Sequence, residues 1–199
     1  MIFNMNKRFL NRPLSYSQLS SFEYSPEEWY KRYIKNEPDP PNPAMLFGSL
    51  VGDSIGTEKS LVPTLVPPGI KEYELRAKIG DIYLVGYADH YCPFKKILHE
   101  NKTSENTTKW TQKAVNEHGQ LTMYALLLFL QDKTPPSDVT MYLNYIPVIK
   151  GGDFMIRLPE PPTYTQFKTT RTNLQIVEYV GYIKNIVKKM NEYIEKYDK

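Results

Sequence analysis

Three acid and base side chains sit close together in the middle of the chain. Gly86-Tyr87-Ala88-Asp89 closes one run of β-forming residues, and Ile97-Leu98-His99-Glu100-Asn101-Lys102 makes up the next. Side chains at i and i+2 of a strand share a face, so Glu100 and Lys102 point the same way. Cys92-Pro93-Phe94 marks the bend between the runs, because proline cannot pair within a central strand. Closing that hairpin brings Asp89 towards Glu100. Two carboxylates beside a lysine can hold a divalent cation and steady an anionic reacting group, which is the chemistry of phosphodiester cleavage. A solvated hairpin with ordinary surface charge would carry the same three residues.

Residues further along the chain separate the two readings. Gln120 and Tyr124 lie four apart, at the start of a segment that runs into the apolar Leu126 to Leu130. On a helix they stack on one face, with Lys113 and Glu117 extending the stripe towards the N-terminus.

The other elements can be read around this centre. Residues 15–35 form one broken or two short helices, and 44–58 another, with Gly48, Gly52 and Gly56 at four-residue spacing for a close approach to the sheet or to a DNA backbone. Asn36 to Pro43, with four prolines, is a rigid connector, and Leu61 to Gly69 a Pro-rich loop. Strands come next near 70–79, 81–91 and 95–103, then the motif helix near 111–131. Met141 to Val148 and Phe154 to Leu158 alternate like a later hairpin around Gly151-Gly152. Thr165 to Tyr197 reads as a long C-terminal helix with Ile176, Tyr179, Val180, Ile183, Ile186, Val187, Met190 and Ile194 on one stripe. The expectation is one α/β domain over residues 1–199: N-terminal helices in 15–58, a sheet core in 70–158 with its motif helix at 111–131, and a C-terminal helix in 163–197.

These residues resemble the RecB-like branch of the PD-(D/E)XK nuclease superfamily, which includes phage and CRISPR-adaptation exonucleases. Gly86-x-x-Asp89 resembles its metal-binding aspartate motif, Glu100-Asn101-Lys102-Thr103-Ser104 its acid-x-lysine-threonine motif, and Gln120-x-x-x-Tyr124 the motif special to this branch. Leu14 to Phe22 and Ser25-Pro26-Glu27-Glu28-Trp29 resemble its opening helices. The resemblance implies a restriction-endonuclease-like core, a central mixed β-sheet flanked by helices. It also implies a metal-dependent DNA nuclease, an exonuclease of recombination, repair or phage replication; the alternatives are a structure-specific endonuclease on the same scaffold and a DNA-binding or interaction module with weakened chemistry. Asp89, Glu100 and the carbonyl of Asn101 would hold Mg²⁺ or Mn²⁺. Lys102 would act on the attacking water and the phosphate, and Gln120 and Tyr124 would position Lys102 and contact the DNA backbone.

Two departures stand out. Many relatives carry a metal-binding histidine where this chain has Gly52; Asp53, one residue on, is the candidate substitute, with Glu74 a weaker one and simple solvation of Asp53 the alternative. Some relatives also hold an iron–sulfur cluster, but here Cys92 is the single cysteine. A cluster needs about four thiolates, so none is expected. Ser25 instead reads as a helix N-cap, with Pro26 first in the helix and Glu28 closing a capping box.

Composition agrees with an intracellular domain, host- or virus-encoded. A single cysteine excludes an internal disulfide. Met1 to Arg8 lacks the continuous apolar core of a signal peptide. No run approaches the roughly 20 apolar residues that span a bilayer, so no membrane partner is expected. The net charge of +3 does not by itself indicate a nucleic-acid partner; the placement of charge does. Lys109, Trp110 and Lys113 come after the acid-x-lysine strand as a phosphate clamp and a stacking platform for a single strand, although Trp110 equally suits a lid over the core. His99 is expected to face away from Glu100. Sixteen tyrosines would suit an assembly around DNA, either a homo-oligomer or a complex with other replication or recombination proteins.

Overall fold

The computed structural model describes residues 12–63, 65–151 and 155–197. Met1 to Arg8, and Gly152 and Phe154 of the expected second hairpin, lie outside them.

Serine and proline set the opening helices. Ser15 caps α1 (Tyr16–Tyr24) and Ser25 caps α2 (Pro26–Tyr33), each side chain accepting from the third backbone N–H beyond it. Proline at the first position of α2 lacks only an N–H that would have had no helical partner. After the proline-rich connector, Asn42 caps α3 (Pro43–Ser54) in the same way. Ending four residues earlier than expected, α3 leaves Gly56 beyond its end at positive φ.

A five-stranded sheet carries the site. Its strands are β1 (Ile70–Ile79), β2 (Ile82–Cys92), β3 (Ile97–Ser104), β4 (Thr140–Pro147) and β7 (Thr165–Thr169), adjacent in the order β1-β2-β3-β4-β7. β3 and β4 are parallel and the other neighbours antiparallel. Joining two parallel strands requires a crossover, supplied here by α4 (Gln112–Asn116) and α5 (Gly119–Asp132). β5 (Ile149–Lys150) and β6 (Ile156–Arg157) form a small separate hairpin, and α6 (Asn173–Tyr197) ends the described chain.

Three expectations need correction. The helix expected over 111–131 is two helices, broken at Glu117-His118. Lys113 therefore stands on a separate short helix and does not continue the Gln120–Tyr124 stripe. Residues 165–169, expected to begin the C-terminal helix, are the edge strand β7; Thr172 then turns the chain into α6, its hydroxyl accepting from the Gln175 N–H. Met141 to Val148 is not one arm of a hairpin with 154–158 but a strand of the main sheet.

The core explains these placements. α5 is buried along Leu121 to Leu128 because it lies between the sheet on one side and α6 on another. A helix apolar all round needs such double cover. α6 is amphipathic and buries Ile176, Ile183, Ile186, Val187, Met190 and Ile194. A second, smaller cluster of Val51, Ile55, Val62, Leu65 and Ile146 seats α3 against the sheet. Among the described residues no helix is long and apolar enough to cross a membrane.

Candidate active site

The site lies where two strands part. β2 and β3 pair from His90↔His99 to Cys92↔Ile97 and then separate. Further along β2, the main chain of Leu14 takes the vacated edge: its N–H donates to Tyr83 O (2.8 Å), and its carbonyl accepts from the Val85 N–H (3.0 Å). Between these two ends is a fork, and side chains satisfy backbone groups that the ladder no longer pairs. Asn101 N–H donates to Asp89 Oδ2 at 2.6 Å, and the Tyr124 hydroxyl donates to Tyr87 O at 2.6 Å.

That fork brings six of the expected residues together, Asp89, Glu100, Asn101, Lys102, Gln120 and Tyr124. Lys102 Nζ is 2.6 Å from Glu100 Oε1, as their shared face requires. The Tyr124 hydroxyl is 3.1 Å from Glu100 Oε2, and Gln120 Nε2 donates to the same hydroxyl at 2.7 Å. Gln120 and Tyr124 thus orient Glu100 and reach Lys102 only through it, instead of positioning Lys102 directly. Gly86 makes this approach feasible: a Cβ there would stand 2.9 Å from Tyr124 Cε1 and 3.0 Å from Leu127 Cδ1. The glycine of Gly-x-x-Asp is a steric requirement of the tyrosine behind it.

Electrostatics reflects the crowding of two carboxylates in a half-open cleft. Burial, reinforced by Glu100, pushes the Asp89 carboxyl up to about 8, against the Asn101 N–H and Lys102. Burial works against the Lys102 ammonium, but Glu100 outweighs it and holds the Lys102 pKa above its ordinary value. Tyr124 is raised well above its ordinary value by burial and by Glu100. Lys102 is therefore an ammonium and Tyr124 a neutral phenol at neutral pH.

Asp89, Glu100, Asn101 and Lys102 open onto a cleft of about 460 Å³ roofed by α3. Gly48 lets α3 settle on β3, since a Cβ there would meet Thr103 Oγ1 at 3.0 Å. Gly52 faces the cleft with open space around it. Asp53 is exposed on the cleft wall, and its carbonyl accepts from Lys71 Nζ. Glu74 does not face the cleft: it is ion-paired with Arg76 on the exposed side of β1. Glu72 lines the cleft instead, at positive φ. Period-two reasoning places Glu72 and Glu74 on one face, so only the backbone reversal at Glu72 separates them.

The donor set suits a hard divalent cation. Asp89 and Glu100 are oxygen ligands whose mutual repulsion a cation would relieve. Among the described residues, no three His, Cys, Asp or Glu side chains gather around one point. Asp53 and Glu72 therefore stand on the wall, apart from the central pair.

The remaining expected residues fall elsewhere. Lys109 and Lys113 are exposed, whereas Trp110 is 8% exposed and packs edge-on against His118, ring centroids 5.1 Å apart. Trp110 is a lid over the core and offers no face to a base; Lys109 sits over its ring. His118 also touches Tyr16, and burial lowers its pKa to about 4. His99 is buried away from Glu100, stacked on Tyr142.

One supporting residue had no sequence signal beyond its charge. Arg171 is 1% exposed, and donates to Thr122 Oγ1, Thr169 Oγ1 and the carbonyls of Val115, His118 and Thr170. It clamps the break between α4 and α5, and so fixes where α5 begins and where Gln120 points.

No family model and no curated protein sequence matches the chain. Solved structures do. A phage-related exonuclease from Haemophilus somnus 129PT is similar over 96% of this chain and 91% of its own, at 14% identity and a TM-score of 0.56. The alkaline exonuclease LHK-Exo from Laribacter hongkongensis is similar over 96% of this chain and 94% of its own, at 12% identity and a TM-score of 0.54. A second LHK-Exo structure, in complex with dAMP, covers 96% of this chain and 92% of its own, at 13% identity and a TM-score of 0.54. The chain has the fold of these exonucleases, the nuclease fold that its motifs resemble.

Proposed function

We propose that this chain is a DNA nuclease, an exonuclease dependent on Mg²⁺ or Mn²⁺, with its centre at Asp89, Glu100 and Lys102. The observation that carries the proposal is the fork itself. A buried Glu100, a half-buried Asp89 and a lysine 2.6 Å from Glu100 open onto one cleft, and a tyrosine that orients Glu100 stands behind them. The fold shared with exonucleases, one of them in complex with dAMP, supports DNA as the substrate.

Asp89 and Glu100 would hold the cation, with the Asn101 carbonyl as a further oxygen, and the cation supplies Lewis acidity and charge neutralisation. Lys102, kept as an ammonium by Glu100, stabilises the charge that builds on the phosphate in the transition state. Tyr124 and Gln120 restrict Glu100 to one rotamer, so the carboxylate is in place before substrate arrives. Lys71, Lys109 and Lys113 offer cations to flanking phosphates.

The test is cleavage of end-labelled linear duplex, single strand and closed circular plasmid, each with Mg²⁺, Mn²⁺ or EDTA. The expected result is metal-dependent loss of linear DNA with circles intact, abolished by Lys102→Ala. Cutting of circles would make it an endonuclease on the same scaffold. Binding without cleavage of any substrate would overturn the enzymatic reading and leave a DNA-binding module.

A further inference from the structure

A second, smaller pocket opens where the cleft ends. It has a volume of about 200 Å³ and shares the wall at Thr103 with the reaction cleft. Its sides are apolar, formed by Phe47 and Ala44 of α3 with Val148 and Ile156 of the hairpin side. Its mouth is polar, with Ser104 on β3 and Glu105 facing Lys150 at 3.7 Å. None of these residues belongs to the acid-lysine centre.

We propose that this pocket takes one unpaired nucleobase of the strand being cut, the base next to the scissile phosphate. The inference rests on the nuclease reading of the adjoining cleft. Position is the first argument. Ser104 lies two residues beyond Lys102, about 7 Å along the strand, within reach of the neighbouring nucleotide when a phosphate is held at Lys102. Size is the second. Drug-sized ligands occupy cavities of roughly 300–1,000 Å³, and this space is smaller, with room for a single ring system and none for a base pair. Charge is the third. The Glu105–Lys150 pair presents one acceptor and one donor with no net charge, which suits the edge of a neutral base and discourages a second phosphate. An aromatic wall at Phe47 is what an unstacked base packs against. Gly48 belongs to the same device: its close approach to Thr103 seats α3 on β3 and so brings Phe47 beside the cleft.

The test is an abasic walk. Hairpin DNAs with a three-nucleotide 5′ or 3′ tail fix the register, and an abasic residue replaces each tail nucleotide in turn. Binding is read by fluorescence anisotropy in Ca²⁺. A single tail position should weaken binding by about tenfold when its base is removed. Ala44 is exposed, so Ala44→Trp fills the pocket from the solvent side without disturbing the core. That variant should bind the intact tail as weakly as the native protein binds the abasic one, and should be indifferent to the missing base. 2-Aminopurine at the sensitive position should brighten on binding to the native protein, as it leaves the stack of its neighbours, and should not brighten on binding to Ala44→Trp. A flat walk, or an Ala44→Trp protein that keeps the native pattern, overturns the pocket. Cleavage in Mg²⁺ is measured separately, so a flat walk with cleavage intact rejects the pocket alone. A stepped walk without cleavage rejects the nuclease reading alone.

Discussion

The phenol of Tyr124 lies 3.1 Å from Glu100 Oε2 and 2.6 Å from the carbonyl of Tyr87, so one side chain ties the acid of β3 to the backbone of β2 across the fork. Removing that hydroxyl frees Glu100 and leaves the Tyr87 carbonyl unpaired. Tyr124→Phe should lower stability by about 1 kcal/mol and kcat by about tenfold, with KM little changed. Urea unfolding and steady-state kinetics measure the two effects.

Asp89 should oppose the stability of the protein it serves. Its carboxyl is raised from 3.8 to about 8, so between those values the folded chain binds more protons than the unfolded one. Stability of the metal-free protein therefore falls as pH rises through that window. Asp89→Asn removes this cost and keeps an acceptor for the Asn101 N–H. Its melting temperature without metal should exceed that of the native protein by several degrees at pH 8. Mn²⁺ should raise the melting temperature of the native protein and leave that of Asp89→Asn unmoved.

Histidines behave with the opposite sign. Burial pushes His99 down to about 4, with neighbouring His90 adding to the effect, and His118 to about 4, with Lys102 adding. In each case the unfolded chain binds the extra proton between 6.5 and about 4, so stability is lost as pH falls through that range. His99→Phe, which can keep the stack on Tyr142, should flatten part of this acid limb in thermal melts recorded from pH 7 to pH 4.

Gly52 faces open cleft, with nothing within 4 Å of a Cβ built there. An imidazole can enter without repacking. Gly52→His should tighten Mn²⁺ binding by about tenfold or more by calorimetry, imidazole being an apt ligand for such ions. Asp53→Ala should weaken binding by a smaller factor, because Asp53 stands on the wall and outside the central pair.

Arg171 donates to five acceptors in the core, none of them a carboxylate. Arg171→Met strands those groups, and should cost about 3 kcal/mol by urea unfolding. The displaced start of α5 should lower kcat as well, because Gln120 lies in the first turn of the helix.

The site is more legible in the sequence than the scaffold around it. Period-two alternation places Glu100 beside Lys102, and a four-residue interval places Gln120 beneath Tyr124; both relations are local, so spacing alone determines them. Residues 165–169 pass for helix because threonine-rich β7 runs into a helix whose stripe masks the change of period. Only pairing with β4 distinguishes it as a strand. The break at His118 is signalled by Gly119, but its cause is Arg171, more than fifty residues away. Trp110 could be a platform or a lid on sequence grounds, and its burial against His118 depends on that same break. Glu72 takes the place expected for Glu74 through a single backbone dihedral, which no side-chain pattern encodes.

The parting of β2 from β3 has a spectroscopic consequence. Asn101 is a strand residue whose amide hydrogen is held by a carboxylate, Asp89 Oδ2 at 2.6 Å, and not by a neighbouring carbonyl. Any ion or proton that draws on Asp89 must change the polarisation of that one N–H bond. In a ¹⁵N-labelled sample, the Asn101 resonance should move with pH and with Mg²⁺, while amides on the intact β3–β4 ladder stay still. The fork thus places an intrinsic chemical-shift probe inside the candidate site.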